Sequence, residues 1–264
     1  MNRENFTFEK VFYITAIAMH INRSHPFITR NLFWIFQFLI VLTLSATSFW
    51  FLFNSVVFYD IPAKRYTEAS KNGTMCIVAL TITAKYAFLL YFQAHLKSLI
   101  LIVDKDYQLA IDLEIEERDI VIKYAKRGTT VSKFWIVCAT LTSALFPLKA
   151  FFAMFCTYLD GKLEYIPMFD MRYPNRIDVL KEVPAMFCFL FFLCILFDVY
   201  ATTMYIGFDP LVPIFLLHIC GQLDILSHRM LKLFSEDSNS LEINEKLKCI
   251  NMKLQDLYRL VDIL

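Results

Sequence analysis

Four long apolar runs separated by polar segments set the pattern of the chain. The first, Asn31 to Phe53 (NLFWIFQFLIVLTLSATSFWFLF), carries no charge. As a helix it reaches ~34 Å, enough to cross a hydrocarbon core of about 30 Å. Trp34 and Trp50 sit near its ends, where aromatic belts form. The second run covers 74–95 and holds one charge, Lys85. The third covers 132–158, with Trp135 near its start and Lys149 inside, and the fourth covers 183–206, with Asp198 inside. Each predicts a spanning helix. An apolar stretch continues past Asp209-Pro210 through LVPIFLLHICG. It reads as the fourth helix leaving the membrane, bent at Pro210 and Pro213; a fifth short span is the competing reading.

The polar segments carry their own periodicity. Over 104–127, Leu109, Leu113, Val121 and Tyr124 recur at helical spacing among charged residues. This predicts an amphipathic helix ended by Gly128-Thr129-Thr130. After the polar break 235–239, Asn239 with Glu242 three residues on resembles a capping box. Ile243, Leu247, Ile250, Leu254, Leu257, Val261 and Leu264 then alternate at spacings of four and three. That seam suits packing on a neighbouring helix of the same chain, or on a partner. The seam is still running at Leu264, so the sequence reads as a piece of a longer protein.

Composition agrees with a bilayer as solvent. Of 264 residues 58% are hydrophobic and only 19% charged, against about 45–50% and 25% in soluble domains. Five glycines and no alternating ten-residue pattern argue against a β-barrel. A net charge of +1 with no basic stripe argues against nucleic acid. The seven cysteines form no C-x-x-C and mostly lie in apolar runs, where they read as small buried hydrophobes. Residues 1–30 lack a contiguous apolar core, so no cleavable signal peptide is expected. The expected fold is an all-α integral membrane bundle of four spans.

Orientation follows from lysine and arginine counts. Segments 1–30, 96–133 and 207–264 together hold seventeen, against seven in 54–73 and 159–182. The positive-inside rule therefore places the N-terminus and the 207–264 region in the cytoplasm. The sequon Asn72-Gly73-Thr74 then falls outside and is the glycosylation candidate. Asn5 and Asn22, which match the same pattern, fall inside.

No nucleophile elbow, P-loop, H-E-x-x-H or G-x-G-x-x-G appears, so no enzyme or cofactor is expected. The histidines at 20, 25, 95, 218 and 228 lack metal-ligand spacing, and His218 and Cys220, two apart, fall on different helix faces. Lys85, Lys149 and Asp198 are the costly residues, each about 2.5–3.5 kcal/mol at mid-bilayer unless paired or wetted. They line a cavity, pair across helices (Lys85 with Asp198) or snorkel to an interface. Spans three and four are rich in Phe and Met, a surface that suits a small apolar guest and lipid equally.

The segment His218-Ile219-Cys220-Gly221-Gln222-Leu223-Asp224-Ile225-Leu226, preceded by Gly207-Phe208-Asp209-Pro210-Leu211, resembles the insect odorant receptor family. Ile166-Pro167 and Tyr173-Pro174 in the second external loop resemble its L-P…Y-P pattern, and the order of spans is similar. Two departures stand out: Lys253-Leu254 where the family places a His, and Val183-Pro184-Ala185 where it enters span four with Tyr. The resemblance implies a seven-span protein in the plasma membrane of olfactory neuron dendrites. It implies assembly with a shared co-receptor into a tetrameric, odorant-gated cation channel, with the pore in span seven. It implies a ligand pocket in the outer half of spans two, three, four and six. On the spans present that pocket falls to Ile77, Thr81, Lys85, Phe146, Lys149, Phe155, Phe187 and Phe191. His218, Cys220, Gly221, Gln222 and Leu223 fall in the subunit anchor. A gustatory receptor and a truncated, non-conducting receptor remain as alternatives. A transporter would need internal repeats and broken spans, and only Pro147 and Pro184 hint at those.

Overall fold

A computed structural model describes residues 6–162, 164–233 and 240–263. Among them the chain is helical, with no strand: α1 (Phe8–Val11), α2 (Tyr13–Ile21), α3 (Leu32–Asn54), α4 (Tyr66–Tyr91), α5 (Gln93–Leu109), α6 (Ile115–Leu159), α7 (Asn175–Leu180), α8 (Pro184–Phe208), α9 (Leu211–Leu233) and α10 (Ser240–Ile263). Four stretches are long and apolar enough to cross a membrane: Leu32–Asp60, Tyr66–Tyr91, Ile115–Leu159 and Pro184–Leu233. The chain is an all-helical membrane protein. Asn5, Asn239 and Leu264 lie outside the described residues.

The spanning helices start where local chemistry starts them. Asn31 caps α3, its side chain accepting from the Trp34 N–H at 2.9 Å. The helix then passes into a π-helical turn, Ser55–Asp60. The second span starts earlier than its apolar run: α4 takes in the polar stretch 66–73, and Gly73 is helical. Pro213 falls in the first turn of α9, where a missing N–H costs little. The chain breaks between α8 and α9 at Asp209-Pro210.

The expected helix over 104–127 is the main correction. The break falls instead at Ala110–Leu113, a 3-10 turn followed by an extended residue. From Ile115 a single 45-residue helix runs through Gly128-Thr129-Thr130 into the third span. The three residues read as a stop act differently. Thr129 and Thr130 return their hydroxyls to the carbonyls of Ala125 and Lys126, each at 3.0 Å. Gly128 is there for closeness: a Cβ would lie 2.7 Å from Cε1 of the buried Phe12 ring. Gly128→Leu is therefore expected to lower stability by about 1–3 kcal/mol, because overpacking outweighs its better helix propensity. Thermal unfolding in nanodiscs reads this, and a stability equal to or above the parent's refutes the contact.

The chain forms two compact units. One joins three distant segments, 6–17, 91–135 and 207–263. Its core is aromatic: Phe6 lies against Tyr107 (4.4 Å between ring centres), Phe8 stacks on Phe215 (5.9 Å), and the Phe8 N–H donates to Asp104 at 2.6 Å. Thr15 and Ser132 hydrogen-bond at 3.1 Å. Glu117 holds Arg229 through two bonds of 2.7 and 2.8 Å. The helix α10 packs along α9, so its seam faces the chain itself. Leu257 and Leu260 are buried while Val261 is exposed. The stripe drifts off strict heptad spacing, as a straight helix of 3.6 residues per turn must.

The other unit, 18–90 and 136–206, holds α3, α4, the second half of α6, α7 and α8. Here Ser45 and Thr83 bond across α3 and α4 at 3.0 Å, and Tyr86 meets Tyr200 edge-on. Pro147 removes one helical bond inside α6.

Candidate functional site

The three charged residues of the spans each find a partner in this second unit. Asp198 accepts from the Ser143 hydroxyl at 2.6 Å, and the Lys85 ammonium sits 3.9 Å from the centre of the Tyr205 ring. The Lys85 side chain reaches along α8 to Tyr205, although its neighbour Tyr86 meets Tyr200, two residues from Asp198. In place of the expected Lys85–Asp198 pairing, the ammonium lies on the Tyr205 ring and the carboxylate accepts from Ser143. Lys149 pairs with Asp170 of the 160–183 loop at 3.1 Å, both partly exposed.

The loop folds inward. Met168, Phe169, Met171 and Tyr173 are buried, although neighbouring positions are charged. Met168, Met171 and Tyr173 face α8 across a cavity of about 460 Å³, closed on the helix side by Phe187, Leu190, Phe191 and Cys194. Tyr165 packs on Phe187, Phe187 on Phe191, and Phe151 on Phe191, at 5.0, 5.6 and 5.2 Å between ring centres. Glu164, Lys181 and Glu182 supply polar groups to the wall. The Lys181 ammonium bonds Asp178 at 2.8 Å. Tyr173 and Cys194 both border the cavity, the hydroxyl beside the thiol. Burial, with that thiol beside it, pushes the Tyr173 hydroxyl far above its ordinary value, so it stays protonated. An apolar wall with a few fixed polar groups is the usual build of a small-molecule site.

Of the expected ligand residues, Phe187 and Phe191 line this cavity. Phe146 and Lys149 stand behind it, packed on Phe169 (5.4 Å) and paired with Asp170. Ile77 and Phe155 are exposed, Thr81 returns its hydroxyl to the Ile77 carbonyl at 2.8 Å, and Lys85 faces Tyr205. Sequence reasoning missed the loop's share, Met168, Met171 and Tyr173. The one signal for it was an apolar cluster inside a charged loop.

Asn72 has a different place from the one expected. It is 2% exposed. Its Nδ2, the atom a glycan would occupy, donates to Asp60 at 2.9 Å and to the Asp170 carbonyl at 3.0 Å, with Ser55 Oγ at 3.4 Å. Ser55 in turn donates to Asp60 at 3.0 Å and accepts from the Arg172 N–H at 2.9 Å. Asn72 is a strut between the turn after α3, α4 and the loop, and a glycan on this atom is incompatible with that network.

The expected anchor segment splits by face. His218, Gly221 and Gln222 point inward on α9, and Cys220 and Leu223 are exposed. A Cβ on Gly221 would sit 3.1 Å from Cβ of Tyr124, so α9 and α6 approach closely there. His218 Nε2 lies 3.1 Å from Asp106, and Lys253 of α10 donates to the other oxygen of Asp106 at 2.8 Å. Burial raises the Asp106 carboxyl, but the His218 and Lys253 contacts outweigh it and hold the group below the usual carboxylate range.

Fold and site together define a helical membrane bundle with an aromatic cavity. The family model described as 7tm Odorant receptor matches residues 65–264, and the chain belongs to that family. It is a chemosensory membrane receptor. No curated protein matches the chain.

Proposed function

We propose that this chain is an odorant receptor subunit that binds small, apolar volatile molecules in the cavity beneath the 160–183 loop. With a shared co-receptor it gates a cation channel in the plasma membrane of olfactory neurons. The observation that carries the ligand site is a 460 Å³ aromatic cavity in a chain of this receptor family. Its volume suits a ligand of modest size. The excess of basic residues in 1–30, 96–133 and 207–264 supports a cytoplasmic N-terminus, which puts the cavity toward the outer face. On this reading His218, Gly221 and Gln222 shape the α9 face of the cytoplasmic subunit anchor.

The test is displacement of an environment-sensitive apolar fluorophore from the chain in nanodiscs by a panel of volatile alcohols, esters and aromatics. Phe187→Ala is expected to weaken the best binder about tenfold, or about 1.4 kcal/mol. Cells that also express the co-receptor are expected to show the same shift in their calcium response. No saturable displacement by any volatile, or unchanged affinity in Phe187→Ala, removes this site.

A further inference from the structure

The far wall of the cavity is thin. A narrow neck of about 20 Å³ between α3 and α8 lies on its other side, sharing Met171, Tyr173, Leu190 and Cys194 with the cavity. The neck in turn shares Leu44, Thr47, Phe51, Leu190 and Leu193 with a groove of about 630 Å³ between the same two helices. That groove opens between the outward faces of two spanning helices. Phe36 and Phe189 in its wall, on two of the candidate spans, are 61% and 56% exposed among the described residues. Leu190 borders all three spaces and is itself buried.

We infer that the α3–α8 groove is a lateral portal, through which apolar molecules dissolved in the bilayer reach the cavity past Leu190. The inference rests on the cavity being the ligand site. The chemistry favours this path for apolar cargo. Apolar molecules partition from water into the bilayer, so the lipid side presents them at the higher concentration. The neck walls are mostly Leu and Phe, with the Thr47, Ser48, Tyr173 and Cys194 side chains as their polar groups. An ion or a strongly hydrated molecule loses its water there without replacement. The neck has room for about one water, so passage requires the Leu190 side chain to swing aside. The cavity's charged wall, Glu164, Lys181 and Glu182, gives water-borne molecules a separate approach from the loop.

Cys194 borders both cavity and neck and is a built-in reporter. The full chain, with its other six cysteines replaced by alanine, is reconstituted in phosphatidylcholine nanodiscs. Its labelling by a dodecyl maleimide held in the bilayer is compared with labelling by a sulfonated maleimide held in water. Thr47 borders neck and groove but not the cavity. Thr47→Trp is expected to slow the lipophilic reagent about tenfold and leave the aqueous rate within twofold, which also reports an intact fold. Leu190→Ala is expected to speed the lipophilic reagent several-fold. A lipophilic rate at the parent value in either variant overturns the portal. No odorant is present in the assay. Its failure therefore leaves the ligand-site reading standing, and failure of fluorophore displacement leaves the portal measurement unaffected.

Discussion

Asp106→Ala is expected to be the most damaging single change in the unit built from 6–17, 91–135 and 207–263. Asp106 is 6% exposed and is the shared acceptor for His218 on α9 and Lys253 on α10. Removing it strands both partners, one fully inside. Breaking a buried ionic contact from one side costs about 3–5 kcal/mol. Asp106→Asn keeps the shape and one acceptor, so a smaller loss is expected. Lys253→Met removes a partly exposed donor and replaces it with an apolar chain, so it is expected to cost least. The readout is cleavage between α9 and α10 by a trace protease, since α10 is held here by Lys253 and the leucine seam. Cleavage in Asp106→Ala no faster than in the parent rejects the role. The pH dependence has a definite sign. The Asp106 carboxyl is depressed in the fold, so its contribution is present above the ordinary carboxylate value of about 4 and is lost as pH falls through the lowered one. The carboxyl's own share of stability is expected to stay flat between about pH 7 and 5 and to fall only in stronger acid.

Asn72→Ala is the second large expected loss, and it separates two readings of one residue. A glycosylated asparagine on a surface would tolerate alanine. A buried strut would not, because the change removes a donor to the Asp60 carboxylate and another to the Asp170 carbonyl. Hydrogen bonds to charged groups contribute about 1.5–3 kcal/mol, and a stranded carbonyl costs about 1–3. A loss of about 2–4 kcal/mol is expected, read as a lowered thermal midpoint. The parent is expected to show no mobility shift on endoglycosidase treatment. Equal midpoints for Asn72→Ala and the parent, or a glycan on Asn72, would return the residue to the surface.

The membrane character was legible because apolar runs of spanning length are a strong signal. The structure puts helices over all four. The boundaries were less legible, and for specific reasons. Asn72 and Gly73 read as loop because helix α4 buries a polar side chain there, which no periodicity announces. Gly128 read as a helix end because glycine marks both ends and close approaches, and only the position of Phe12, more than a hundred residues away, decides between them. At the candidate site the aromatics of α8 were visible from their helix. Met168, Met171 and Tyr173 were not, because a loop has no period from which an inward face can be inferred. The Lys85–Asp198 pairing failed on side-chain direction: composition names the charges but not which neighbour each one turns to.

The aromatic core of the first unit also sets a clock. Phe8 stacks on Phe215, 207 positions further along the chain. A ribosome adding about 5–20 residues per second needs roughly 10–40 s to supply that partner. For that interval Phe6, Phe8 and Phe12 have emerged but cannot finish their core. The nascent segment is therefore a natural client for a chaperone or the membrane surface, and slowing synthesis between the first and fourth spans lengthens its exposure to aggregation.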